Sequence, residues 1–121
     1  MDTRFSGTRA DESIRGSING ILTENFTPYA LTSGVLEGMI SELYQMYLDM
    51  GVKRKGIVGS GNGIRKNKKL AEIAENRFLS KLKIPAHTEE AAYGAALFGM
   101  ISAGIFKDST SAKKLISYIC L

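Results

Sequence analysis

Apolar residues in the stretch 28–50 recur at helical spacing: Val35, Leu36, Met39, Ile40, Leu43, Met46, Tyr47 and Met50. That period predicts one long amphipathic helix and assigns this face to a core. Thr27 followed by Pro28 marks its start, a hydroxyl cap before a proline at the first helical position, and Gly51 its left-handed end. Ahead of it, residues 1–15 are polar and without period and are expected to be irregular. Ile18, Ile21 and Leu22 lie between glycines in RGSINGILTE, enough for a weak strand whose partner is not evident. Beyond it, Gly56, Ile57 and Val58 read as a short buried strand. Leu70, Ile73, Ala74 and Phe78 mark one face of a second helix that fades near Ser80, and Lys81–Pro85 reads as a strand ended by its proline. Thr88 is the expected cap of a third helix, with Glu89 and Glu90 in its first turn and Gly104 at its end. There Ala91, Ala95 and Gly99 share one line, which suits close contact with a neighbour. Asp108–Ile119 reads as a last short amphipathic helix using Leu115, Ile116 and Ile119.

Length changes this picture little: 121 residues suit one domain with one core. A hydrophobic share of 44% with 23% charged residues excludes a disordered or fibrous chain. No run reaches membrane-spanning length, and MDTRFSGTRADE has no apolar segment behind its charges, so no secretory signal is expected and the protein is expected to be cytoplasmic. The single cysteine, Cys120, has no partner for an internal disulfide and reads as a buried or frayed-end thiol. His87 has no second histidine to make a metal pair and reads as a surface or capping residue. No nucleophile elbow, zinc motif or paired-carboxylate arrangement stands out, so no catalytic or metal residue is assigned.

Charge matters through its position. The net charge is +4, and much of the excess sits in Lys53, Arg54, Lys55 and the cluster Arg65, Lys66, Lys68 and Lys69. Within KGIVGSGNGIRKNKKL the apolar run breaks into Gly59, Gly61 and Gly63, which permit positive φ or close approach of a ligand, and Asn67 can cap the next helix. The cations crowd the positive end of that helix's macrodipole, a conflict that an anion would relieve. An ordinary strand-to-helix loop with solvated lysines fits the same residues equally well. The aromatics are not interleaved with the cations as a stacking platform requires, which argues against nucleic acid. The dinucleotide fingerprint fails because Ile64 stands where its last glycine belongs, and no register supplies a Walker loop.

Five pieces in this order resemble the C-terminal part of the FGGY carbohydrate kinases, closest to the sedoheptulokinase-like branch. They are GTRAD at Gly7–Asp11, RGSINGI at Arg15–Ile21, NFTPYALTSGVLEGM at Asn25–Met39, GSGNGIRKN at Gly59–Asn67 and EEAAYGAALFG at Glu89–Gly99. The glycine-rich turn paired with the downstream AA-x-GAAL helix is the specific part. The resemblance implies an α/β fold, a partial ribonuclease H-like domain of the actin-like ATPase superfamily with about three strands and three to four helices. It implies ATP with Mg²⁺ in the intact enzyme and transfer of the γ-phosphoryl group to a sugar hydroxyl, on sedoheptulose or a related ketose. Gly59, Ser60 and Gly61 would approach the phosphates, and Asn62 and Asn67 the adenosine side. This chain reads Gly-Ser-Gly where many relatives have consecutive glycines, and its loop to Asn67 is slightly longer than in xylulose and glycerol kinases. The catalytic aspartate and the sugar-binding residues belong mainly to the preceding domain, so the chain alone is expected to be inactive. The alternative is a stand-alone interaction module whose basic loop binds a polyanion.

Set against a complete domain of this type, residues 1–121 read as a single partial domain lacking its first two strands. The strand Gly56–Val58 is then left with an open edge, a template for another chain. Either the N-terminal strand collapses against it, or two chains pair or exchange segments around a two-fold axis, and the homodimer is the favoured outcome.

Overall fold

The computed structural model describes residues 1–120, which divide into two compact units, residues 1–53 and residues 54 onward. The first unit is built on α1 (Pro28–Asp49). The Thr27 hydroxyl accepts the amide of Ala30 at 3.1 Å, as its place before Pro28 predicts. Gly51 follows the helix at φ 64°. The expected strand around Gly16–Leu22 does not form; a single antiparallel bridge joins Asp2 to Ser17. With no sheet in this unit to pack on, α1 buries only Gly38 and Ile40, while Met39, Leu43, Met46 and Met50 remain between 44% and 57% exposed. The predicted core face is thus largely open: an apolar stripe becomes core only when a second layer covers it.

The second unit is an α/β structure. Its sheet has three strands, β1 (Ile57–Val58), β2 (Leu82–Pro85) and β3 (Tyr118–Cys120), in the order β1-β2-β3. β2 runs parallel to β1, with Ile57 opposite Leu82, and antiparallel to β3, with Ile84 opposite Ile119. Between β1 and β2 lie α2 (Asn62–Lys66) and α3 (Lys68–Phe78). Strand alternation decides the core: Leu82 and Ile84 point inward, Ile84 with no exposure at all, and pack with Ala71 of α3, while Lys83 between them is exposed. Ile57 and Ile64 close the same cluster.

After β2 comes α4 (Glu90–Ser102), followed by α5 (Ser109–Ala112) and a 3₁₀ turn at Lys113–Leu115. Two expectations are corrected here. Thr88 does not cap α4; Glu89 stands at that position and makes no side-chain cap. The last helix stops at Leu115, and the β-branched run behind it pairs with β2 as β3. The apolar spacing of Leu115, Ile116 and Ile119 is too short to tell helix from strand, and pairing beside β2 satisfies backbone groups that a frayed helix end would leave open. Cys120 lies in β3 and is exposed. Along α4, Ala91 and Ala95 are exposed, and a Cβ added at Gly99 would meet nothing within 4 Å.

Candidate functional site

The glycine-rich turn begins where β1 ends. The Gly59 amide donates to the Lys83 carbonyl at 2.9 Å, continuing the β1–β2 ladder by one residue. A Cβ at Gly59 would sit 3.1 Å from the Ile64 side chain and 3.2 Å from that of Leu82, so a methyl group here would crowd the core side of the turn. Gly61 then takes φ 91°, a conformation that side chains rarely adopt, and starts α2 with no side-chain cap. A Cβ at Gly61 would meet open space, so its backbone faces a side that no neighbouring atom fills.

The sequence reading expects one helix beginning at Asn67; the chain makes two. α2 ends at Lys66, Asn67 breaks it in extended conformation, and its side-chain oxygen accepts the Leu70 amide at 3.0 Å to start α3. This divides the basic cluster. Arg65 and Lys66 occupy the last turn of α2, where a helix dipole favours cations, and only Lys68 and Lys69 stand in the first turn of α3, where it disfavours them. Lys69 is partly compensated by Glu72, 3.3 Å away on the exposed face.

Arg65 is not part of the solvated cluster at all. One of its terminal nitrogens, Nη2, directs its two hydrogens at three acceptors, one of them shared: the Pro85 carbonyl at 2.8 Å, the His87 carbonyl at 2.8 Å and Glu90 Oε1 at 2.6 Å. The two side chains of the ion pair are only 17% and 19% exposed, which separates it from the surface pairs of Lys69 and Lys81. The Arg65 guanidinium is the first cause holding the Glu90 carboxyl below its ordinary range, with the Gly61 amide adding to it. Sequence spacing gave no sign of this: the partners are 25 residues apart, and each has a local role that explains it equally well.

Of the residues assigned from sequence, Gly59, Ser60, Gly61 and Asn62 form one continuous turn, with Ser60 and Asn62 exposed. Asn67 stands five residues further on, its oxygen committed to the α3 cap. His87 is half-buried, not merely at the surface. Its ring stacks on Tyr93 at 3.7 Å, Nε2 lies 3.3 Å from the Leu115 carbonyl, and the Tyr93 hydroxyl donates to that same carbonyl at 3.0 Å. Among the described residues no group of three or more His, Cys, Asp or Glu side chains converges, and no helix is long and apolar enough to cross a membrane.

Residues 2–103 match the family model described as FGGY family of carbohydrate kinases, C-terminal domain. No curated protein and no solved structure matches the chain. The matched span runs from the N-terminal segment through the glycine-rich turn to the end of α4, most of the chain and both of its units. The chain therefore belongs to the FGGY family of carbohydrate kinases, as a C-terminal domain with the α/β fold of the actin-like ATPases.

Proposed function

We propose that this chain forms the nucleotide side of a kinase that moves the γ-phosphoryl group of ATP, accompanied by Mg²⁺, to a hydroxyl of sedoheptulose or a related ketose. The observation that carries the reading is the turn Gly59–Asn62 within a matched kinase domain. At Gly61 a positive φ coincides with open space on the side where a Cβ would stand, a backbone that a phosphate group can approach closely. The Ser60 amide and hydroxyl, with close backbone approach at Gly59 and Gly61, serve the phosphate side, the Gly59 amide being held by Lys83 and the Gly61 amide by Glu90; Asn62 with the free amide group of Asn67 serves the adenosine side. Lys66 and Lys68, both exposed, add positive potential around the turn. ATP supplies the transferable phosphoryl group, while these residues bind and orient it.

The catalytic base and the sugar-orienting groups are assigned to a partner domain of the parent enzyme, so this chain alone should not phosphorylate sugars. Both units belong to one domain, a reading supported by the continuous family match across them. A cytoplasmic setting follows from ATP as donor. With one wall of the cleft present, binding is weak. Titration of the labelled chain with Mg-ATP tests the assignment: chemical-shift changes are expected at Gly59–Asn67, and changes confined to α4 refute it.

A further inference from the structure

We infer that Arg65 and Glu90 form a clamp that positions the glycine-rich turn, so that the most buried cation of the basic cluster acts on the backbone around the turn rather than on an anion. The inference rests on the nucleotide reading for its functional consequence, but the clamp itself is a statement about this chain. Arg65 lies on α2, directly behind the turn, and its three acceptors come from three successive places: the end of β2, the connection after it and the start of α4. Glu90 closes the loop from the other side, its carboxylate taking the Arg65 guanidinium and facing the Gly61 amide. Two elements that flank the turn are therefore tied to each other through one ion pair, and the residue of positive φ lies inside that tie.

All three acceptors gather on the one nitrogen Nη2; what the planar guanidinium adds over a lysine ammonium is a rigid head that holds this nitrogen in place, where a lysine would bring it on a flexible stem. The pair is well shielded, the two side chains being 17% and 19% exposed, so the tie is held more firmly than a solvated surface pair would be. Arg65 is a positioning residue: its charge is paired with Glu90 and its Nη2 donors are committed to the segment from Pro85 to Glu90.

Amide hydrogen exchange on the ligand-free full chain tests the clamp. Arg65→Ala and Glu90→Gln should each accelerate exchange at Gly61 and at position 65, whose amide bonds to the Gly61 carbonyl, by ~10-fold or more, in keeping with selective local opening. The amide of Ala112, bonded to the Asp108 carbonyl in the same unit and away from the clamp, should keep its protection. Arg65→Lys should fall between wild type and Arg65→Ala, and the double variant should open the turn no more than the stronger single one, because both remove the same interaction. Unchanged exchange at the turn, or uniform acceleration across the unit, overturns the clamp. A second arm measures Mg-ATP affinity with Glu75→Gln as a control that loosens the α3–β2 connection without touching the clamp. A loss of ~10-fold in Arg65→Ala and Glu90→Gln but not in the control supports the positioning role. Equal affinity in all variants overturns it. If wild-type shifts map away from Gly59–Asn67, the nucleotide reading and the positioning role toward it both fail, while the exchange result still decides whether the clamp exists.

Discussion

Glu75, in the last turns of α3, accepts the backbone amide of Leu82, the first residue of β2, on Oε1 at 2.8 Å. Its second oxygen takes the Lys81 ammonium at 3.2 Å. A single side chain thus joins the end of a helix to the start of the central strand, at the point where Leu82 enters the core. The Leu82 amide, followed by the Lys81 ammonium, holds the Glu75 carboxyl below its ordinary range. A depressed carboxyl stabilises the fold above its ordinary range, and that contribution is lost as pH falls through the folded-state value. Glu75→Ala should lower the thermal midpoint by on the order of 5 °C at neutral pH, with a much smaller difference from wild type in acid. Melting curves across the acid range check both, and a pH-independent difference would contradict the linkage.

Leu79 offers the opposite case, a substitution that stabilises. It follows α3 in the left-handed region at φ 49°, with its side chain 91% exposed. A Cβ in that conformation costs about 1–2 kcal/mol, and glycine avoids it at a smaller entropic cost. Leu79→Gly should raise stability by about 1 kcal/mol, since almost no packing is lost. Chemical denaturation measures it, and a loss of stability would show that Leu79 is covered in solution.

These two positions show what the sequence made legible. The apolar period and the caps Thr27 and Asn67 placed α1 and α3, because a cap is a local interaction written within four residues. The strands at Ile57 and Leu82 were also readable from short apolar runs next to glycine and proline. What could not be read was decided by tertiary partners. Tyr118–Cys120 becomes a strand because β2 has an edge to offer, and the Met39, Leu43 and Met46 face stays open because nothing in its own unit forms a layer against it. At the site, the turn Gly59–Asn62 was visible as a glycine pattern, whereas the Arg65–Glu90 pair depends on two segments meeting across β2 and carried no local signal.

Asp2 allows a pH test in the first unit. Its carboxylate accepts the Arg4 guanidinium at 2.6 and 3.0 Å and the Arg4 amide at 3.0 Å, which lowers its pKa from 3.8 to about 2. The link is therefore complete above the ordinary aspartate range and disappears as pH falls from there toward 2. Asp2→Asn should flatten the acid dependence of local exchange at Ser17, the residue bridged to Asp2, while leaving the amides of β2 unaffected.

Gly59 separates packing from ligand approach. Gly59→Ala places a methyl group against Ile64 and Leu82, and overpacking of this kind costs about 1–3 kcal/mol. Gly61→Ala meets no atom but must hold φ 91°, with strain of about 1–3 kcal/mol. Both should destabilise, yet only Gly61→Ala fills the open side of the turn. Mg-ATP affinity corrected for the folded fraction should fall in Gly61→Ala and stay near wild type in Gly59→Ala; the reverse order would move the phosphate side away from Gly61.

The sheet edge makes the last prediction. β1 has β2 as its single partner in the three-stranded sheet, and its second residue, Val58, is 53% exposed. An apolar edge strand with unpaired backbone groups is a template for another strand, and proteins that remain monomeric usually guard such edges with charge, proline or a bulge. Lys55 lies before the strand and Gly59 after it, so no charge stands on the pairing residues themselves. The expected outcome is self-association at micromolar concentration, with two copies meeting edge to edge around a two-fold axis. Val58→Lys should abolish it with little effect on the core, because Val58 points away from Ala71, Leu82 and Ile84. Light scattering under reducing conditions, which excludes a bridge through the exposed Cys120, distinguishes the cases. A wild-type chain that stays monomeric, or a dimer that survives Val58→Lys, places the association surface elsewhere.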